Sequence, residues 1–371
     1  MPDKNEKSKE TLPIVIIGAG IAGLCISFYL NKKNVPHIII EKGKAGNTWI
    51  EERWDNFHLV NPNWAMKIPE FGFESDHFPS KDPNGFLNKK EIVNYLQSFA
   101  RYLNSEIYEN EKVNKISKNN NSYEIQTSKR LIHTNTVIIA TGAFGNPYIP
   151  EIHKNLDKDI FQIHSSKYKN STGLPEGKVV VVGSGQSGAQ IAEDLLDSGR
   201  KVILAVSKCG RRPRKYRSKD SSWWNYEMGL FDKTVNDVKL EERWKCSAHT
   251  SGAKGGHDIN LIDLAENGLE LCGSIKNCQG NKLFLKDNVY ENVKFSDTYA
   301  INWRKNVDEF ITKNNIKAPQ ESIKIDERIQ SNILKNYDQI LLNKEINSII
   351  WATGFRYNFD WIDLDIAAKN N

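Results

Sequence analysis

Short, mostly apolar runs punctuate this chain: Pro13 to Ile17, His37 to Ile40, Thr136 to Ile139, Val179 to Val182, Val202 to Val206 and Ile349 to Trp351. Each is rich in β-branched residues and too short for a helix, which predicts strands buried on both faces, as in a parallel sheet. Elsewhere the period lengthens. Glu91 to Leu103 sets Ile92, Tyr95, Leu96 and Phe99 on one face, and Thr298 to Asn314 does the same with Trp303, Val307, Phe310 and Ile311. Both segments predict core-facing helices. Strands that alternate with helices define the α/β class.

Two of the strands run into glycine turns that open helical patterns. The first turn holds Gly18, Gly20, Ile21, Ala22 and Gly23, and the second holds Gly183, Ser184, Gly185, Gln186, Ser187 and Gly188. In such a turn the first glycine makes the tight bend and the second leaves the backbone open to a pyrophosphate at the helix N-terminus. The third lets helix and strand pack closely. The strand after the first turn ends at Glu41, followed by Lys42. A carboxylate there accepts a ribose hydroxyl and repels a 2′-phosphate, so this copy suits FAD or NAD. The strand after the second turn ends in Ser207 and Lys208, with Arg211, Arg212, Arg214 and Lys215 beyond. Serine and guanidinium groups suit the 2′-phosphate of NADPH; a solvated basic loop is the plainer alternative. Ala140-Thr141-Gly142 and Ala352-Thr353-Gly354 close two further strands. One precedes the second turn and the other lies near the end, as expected where a chain crosses between two nucleotide-binding units.

Together these pieces resemble the class B flavin monooxygenases, which include N- and S-oxygenating, YUCCA and Baeyer–Villiger enzymes. The resemblance runs from Leu12 over nearly the whole chain. It is carried by both glycine turns, Glu41, Gly46-Asn47-Thr48-Trp49 with Arg53, and Leu59-Val60-Asn61-Pro62-Asn63-Trp64. Further support comes from the first Ala-Thr-Gly with Pro147 and Pro150, His164-Ser165-Ser166-Lys167-Tyr168-Lys169, and the second Ala-Thr-Gly with Phe355. It implies two Rossmann-like dinucleotide-binding domains, the NADPH domain inserted in the FAD domain. It further implies that NADPH reduces FAD and that O2 adds at the flavin C4a position. The resulting peroxyflavin then passes one oxygen atom to a small organic substrate. Lys42, Trp49, Arg53 and Val113 join the residues assigned to the cofactors. Asn61 or Asn63 matches the asparagine that the family places near the flavin, although either also reads as a turn residue around Pro62. His164 reads as architectural.

Two departures stand out. The family signature Phe-x-Gly-x-x-x-His is absent, since Lys158 and Ile160 occupy the first two positions; the Baeyer–Villiger form is not supported. The sequence also ends at Asn371, so the last strand and helix of the FAD domain are expected to be missing and one side of the flavin open to water. An uncoupled NADPH oxidase or a nucleotide-binding remnant are the corresponding alternatives. A disulfide reductase ranks below them, because no cysteine follows Glu41 closely and no CxxC pair exists.

The domain plan is a mobile tail at 1–10, an FAD domain at 11–150, an NADPH domain at 151–346, and a truncated return to the FAD domain at 347–371. The length of 371 residues accommodates two cores. A net charge of +5 without a basic helix argues against nucleic acid. Five cysteines without metal-ligand spacing predict neither a disulfide framework nor a metal site, and fit a reducing cytoplasm. Thr11 to Asn31 is uncharged, but its glycines make it a strand, turn and helix rather than a membrane span. The aromatic stretch Ser221 to Phe231 reads equally as packing on the NADPH domain or as a wall of the substrate pocket.

Overall fold

The computed structural model describes residues 9–364 apart from 243–245, 324, 331–333, 335 and 336. Its first half contains β1 (Lys9–Ile17), α1 (Ile21–Lys32), β2 (His37–Ile40), α2 (Asn47–Glu51), α3 (Lys89–Leu103), β3 (Glu106–Tyr108), β4 (Val113–Asn119), β5 (Ser122–Thr127) and β6 (Leu131–Ile139). The second half adds β7 (Phe161–His164), β8 (Lys178–Val182), α4 (Gln186–Asp197), β9 (Val202–Ala205) and the small hairpin β10 (Lys215–Tyr216) and β11 (Lys219–Asp220). Then come α5 (Ser221–Glu227), α6 (Leu261–Glu266), β12 (Glu270–Cys272), β13 (Ile275–Gln279), β14 (Lys282–Leu285), α7 (Val289–Lys313), β15 (Gln339–Leu341), β16 (Ile346–Trp351) and β17 (Ile362–Asp363).

The first sheet has the order β17-β4-β5-β6-β1-β2-β3. Its β6-β1-β2-β3 part is parallel, and β4, β5 and β6 form an antiparallel meander. Side chains alternate along β1 and β2 as the pleat requires. Ile16 and Ile39 join the core with Leu24 of α1 and Ile92, Leu96 and Phe99 of α3. Val15, Ile17, Ile38 and Ile40 face the other way, toward Ile116, Ile125 and Ile132 of the meander. Helix α3 is closed at its start by a capping box, with the Asn88 side chain accepting from the Glu91 N–H and the Glu91 carboxylate accepting from the Asn88 N–H.

The second sheet, β12-β9-β8-β16-β7, is parallel throughout and repeats the plan. Val179 and Val181 face α4, while Val180, Val182, Ile349 and Trp351 pack on the three-stranded sheet β13-β14-β15. The fold is therefore two Rossmann-like layers in one α/β chain, as expected.

Two boundaries differ from the sequence reading. The expected tail lies outside the described residues up to Ser8, but Lys9 and Glu10 begin β1 and pair with Leu131 and Ile132; β6 is long enough to carry β1 past its apolar stretch. Strand β16 sits between β7 and β8, so the return to the first sheet starts beyond Gly354 rather than at 347. The chain then reaches the first sheet again, at the edge of the meander rather than in the parallel part. Phe355 bridges to Pro147, and Ile362 and Asp363 pair with Ile116 and Ser117 at the edge of the first sheet. A two-residue strand has no periodicity to read; what holds it is burial of Ile362 against Ile116 and Ile125.

Candidate active site

Each glycine turn is seated on the Ala-Thr-Gly segment of its own sheet. Gly18 has φ +107°, and a Cβ there would lie 2.5 Å from the Ala140 carbonyl oxygen; Gly183 has φ +96° and its Cβ would lie 2.7 Å from that of Ala352. A Cβ on Gly23 or Gly188 would stand 1.9 Å from the carbonyl oxygen of the turn's first glycine. These four positions are closed by the protein itself. Gly20 and Gly185 are different, since a Cβ on either meets nothing within 4 Å. The space in front of them is open, at the N-termini of α1 and α4, where an anion is favoured.

At the first turn that space is a cavity of about 790 Å³. Gly18, Gly20, Ile21, Ala22, Glu41, Lys42, Trp49, Arg53, Val113, Ala140, Thr141 and Gly142 all line it, and Gly23 lies beneath, against Gly18. The Glu41 carboxylate accepts from the backbone N–H groups of Ala19 and Gly43, both at 2.9 Å. Two bonds fix it at the end of β2 and leave acceptor capacity for sugar hydroxyls. Further along, the Arg53 guanidinium lies 5.3 Å from the Trp49 ring, 5.7 Å from Phe57 and 5.3 Å from Phe144. Burial lowers its pKa, opposed by the neighbouring Glu52 charge, yet a guanidinium stays charged at any working pH. The far wall is made by residues 356–361 on the way into β17. Sequence reading missed these residues along with Asn114, Phe144 and Asn146; the second Ala-Thr-Gly was the only pointer to them.

The second turn is arranged otherwise. Ser207 is spent on the turn itself, its hydroxyl accepting from the Ser184 N–H at 3.2 Å while its own N–H donates to the Ser184 hydroxyl at 2.9 Å. Arg211 is buried in an ion pair with Asp297, with Asp258 at 3.9 Å. Arg212 has no ion-pair partner among the described residues and donates from Nε to the Ser221 hydroxyl at 3.1 Å. The Gln186 side chain donates to the Thr250 carbonyl at 2.5 Å, and Ser187 is half-buried beside it. Thr353 and Gly354 serve the crossovers, since the Thr353 hydroxyl donates to the Tyr148 carbonyl at 2.5 Å and the Gly354 carbonyl accepts from Tyr148 N–H at 3.0 Å.

Neither candidate asparagine reaches the cavity wall. Asn61 is exposed; Asn63, 1% exposed, donates to the Asp82 carbonyl at 2.9 Å and leaves its Oδ1 without a partner. The short turn Asn63–Ala65 aims that side chain under the 82–85 loop. The aromatic stretch divides: Trp224 is buried against Tyr216 and Trp303, whereas Tyr226 stays exposed with its ring 6.2 Å from Trp64.

His164 Nε2 donates to the Gly354 carbonyl at 2.9 Å, and Nδ1 accepts from the Ser166 N–H at 3.1 Å. The rest of that segment bridges the two sheets. The Tyr168 hydroxyl donates to Asp194 of α4 at 2.6 Å, while the Lys169 ammonium donates to the carbonyls of Glu51 and Arg53 and its own carbonyl accepts from Asp55 N–H at 2.8 Å.

His249 seals the second turn. Its Nε2 donates to the Ser184 carbonyl, and Nδ1 is buried without a partner. Burial first, then the Arg211 charge, hold its pKa down at about 4 against the bond to Ser184, which raises it. The unfolded imidazole titrates near ~6.5, so the unfolded chain takes up a proton that the folded one refuses. Stability held at neutral pH is therefore lost as pH falls from about 6.5 toward 4, by roughly 3 kcal/mol. Urea unfolding at pH 7 and pH 5 is expected to show about 2 kcal/mol of this drop, and His249→Asn to flatten it. A drop of equal size in the variant would assign it to other groups.

Among the described residues no group of three His, Cys, Asp or Glu side chains is placed to hold a metal, and no helix is long and apolar enough to cross a membrane.

Residues 15–242, more than half of the chain, match the family described as pyridine nucleotide-disulphide oxidoreductase. The chain belongs to this family. An uncharacterized CzcO-like oxidoreductase of Geobacillus kaustophilus is 34% identical over 225 residues, which is 60% of this chain and 62% of the relative. The uncharacterized oxidoreductase CzcO of Bacillus subtilis is 30% identical over 351 residues, 94% of this chain and 83% of that one. The probable indole-3-pyruvate monooxygenase YUCCA1 of Arabidopsis thaliana is 30% identical over 52% of this chain and 46% of its own length. Among solved structures, the flavin-containing monooxygenase from Stenotrophomonas maltophilia superposes with a TM-score of 0.60 at 16% identity, covering 95% of this chain and 81% of that one. The shared fold is that of two-dinucleotide flavoproteins.

Proposed function

We propose that this family member is an NADPH-dependent flavoprotein monooxygenase, with FAD in the cavity at the first glycine turn and NADPH at the second. The observation that carries the reading is the cavity itself: open at Gly20, closed at Gly18 and Gly23, with Glu41 fixed at its rim. Bound there, FAD supplies the electron transfer from NADPH and the activation of O2. The chain's own part is binding and exclusion. Gly20 admits the pyrophosphate to the α1 N-terminus, Glu41 accepts ribose hydroxyls, and Trp49, Phe144 and Trp361 bring apolar surface that keeps water out. Arg53 contributes a fixed positive charge among three rings, where an anion developing in the reaction is stabilised more than in water.

No residue lining the cavity is a cysteine, which favours oxygenation over disulfide reduction despite the family's name, because a dithiol substrate group belongs beside the flavin. The likeness to YUCCA1, a probable monooxygenase, points the same way. Asn63 is not assigned a catalytic part, since its side chain is buried under another loop. The test is a purified protein carrying flavin absorbance and, given NADPH, O2 and a small amine or sulfide, forming product labelled from 18O2. Peroxide formed in place of labelled product would assign an NADPH oxidase instead, and colourless protein a nucleotide-binding remnant.

The basic loop gives a sharper check. Among the described arginines of this loop, Arg211, Arg214 and Arg217 are ion-paired and Arg212 is not, so Arg212→Ala is expected to raise the NADPH KM by ~10- to 100-fold and leave NADH nearly unchanged. Arg211→Ala is expected to act on stability, because it strands Asp297 as a buried charge at a cost of about 3 kcal/mol. Thermal unfolding and paired NADPH and NADH kinetics on both variants separate the roles; equal losses with both nucleotides at Arg212 would remove it from 2′-phosphate recognition.

A further inference from the structure

The fold brings together two cysteines that lie 37 positions apart and belong to no motif. Cys209 follows β9 two residues beyond Ser207, and Cys246 lies beyond the aromatic helix α5; their sulfurs are 2.8 Å apart. A disulfide bond is ~2.0 Å long, so the pair needs only a small approach to become covalent. The two thiols are unequal. Cys209 is buried, with its S–H 3.4 Å from the Ser247 carbonyl, and Cys246 is exposed. The hydrogen bond between the two sulfurs, against a smaller opposing effect of burial, lowers the Cys246 thiol to about 7, while the same bond and burial push Cys209 up. An exposed, readily ionised thiol beside a buried one is the arrangement of an attacking and a resolving cysteine.

We propose that Cys209 and Cys246 form a reversible disulfide that hydrogen peroxide closes, and that closure pins the segment lying over the second glycine turn. The Cys246 thiolate attacks one peroxide oxygen, the O–O bond breaks, and the departing hydroxide takes a proton to become water, leaving a sulfenic acid. The Cys209 sulfur then attacks the Cys246 sulfur. The S–O bond breaks, and the second hydroxide leaves as water with the Cys209 proton. Two thiols have lost two electrons, and the peroxide has been reduced to two waters.

What the bond pins follows from the backbone around it. Gly210, next to Cys209, accepts from the His249 N–H at 2.8 Å, and Arg212 N–H donates to the His249 carbonyl at 3.1 Å. Ser207 and His249 both hold Ser184 inside the turn, and Thr250 lies against Gln186 at the start of α4. A covalent link between 209 and 246 therefore ties the two ends of a clasp around the place where a nicotinamide nucleotide would meet the helix. This second part rests on the turn being the NADPH site; the disulfide itself does not.

The remaining cysteines serve as controls. Cys272 and Cys278 are buried with thiols raised by desolvation to about 12 and about 11, and Cys25 is half-buried and also raised. The experiment uses the full-length protein as purified, freed of reductant, treated with hydrogen peroxide and alkylated before peptide mass spectrometry. Two of the five thiols are expected to be lost as a single Cys209–Cys246 linkage, restored by dithiothreitol, absent in Cys246→Ser and retained in Cys25→Ser. The NADPH KM of the linked protein is expected to rise severalfold with flavin content unchanged. Sulfinic acid at Cys246 with Cys209 still free, or linkages involving the other cysteines, would overturn the disulfide. A linked protein with an unchanged NADPH KM would overturn the clasp. The linkage is read without flavin or turnover, so failure of the monooxygenase reading leaves this result distinct.

Discussion

Gly20→Val is expected to fold normally and to purify without flavin colour. A side chain at that position meets nothing of the protein within 4 Å, in a backbone conformation at the head of α1 that is extended rather than left-handed. A valine therefore costs the fold little, while its methyl groups fill the approach to the helix N-terminus that a pyrophosphate requires. The flavin-to-protein absorbance ratio is expected to fall at least ~10-fold, equivalent to about 1.4 kcal/mol or more in binding. Gly23→Ala is the contrasting variant, because its one added carbon would sit 1.9 Å from the Gly18 carbonyl. It is expected to lose stability first, by about 1–3 kcal/mol, and flavin only as a consequence. Full flavin occupancy in a folded Gly20→Val protein would remove FAD from this turn.

Shortening the chain to end at Gly354 is expected to have an effect of similar size for a different reason. Residues 356–361 form the far wall of the cavity, and β17 anchors that wall to β4. Without them the first glycine turn, Glu41 and Ala140 are all intact, but the side facing them opens to water. FAD retention after gel filtration is expected to drop ~10-fold or more, with the unfolding midpoint lowered modestly through loss of Ile362 from the meander core. The milder Ile362→Asp variant, which spoils the anchor and keeps the wall residues, is expected to fall between the two. Retention equal to the full chain would show that the tail contributes nothing to the site.

The local parts of this architecture were legible in the sequence. Strand β2 and the buried face of α3 are written in runs and periods of a few residues, and the three roles of the glycines depend on neighbours one turn away. Side chains whose partners are remote were not legible. Arg211 reads as a free cation until Asp297, eighty-six residues later, is placed beside it. Ser207 matches the expected 2′-phosphate reader in type and position, yet its hydrogen bonds go to Ser184. Of the two candidates for the family's asparagine, Asn61 is exposed and Asn63 is sent inward by the turn at Pro62. The cysteine pair had no spacing signal, and β17 was too short to leave one.

The bridge at Tyr168 and Lys169 constrains how the two sheets move against each other. It joins α4, which carries the second turn, to the backbone of Glu51, Arg53 and Asp55 beside the first cavity. Rotating one sheet against the other breaks these bonds together, at roughly 1 kcal/mol each and more for those to charged groups, so a splayed arrangement is a rare excursion. Access to either glycine turn then depends on movement of loops over a nearly fixed frame. The loops are unequal, a wall ending in β17 at the first turn and the segment around His249 and Thr250 at the second, so each turn opens independently of the other.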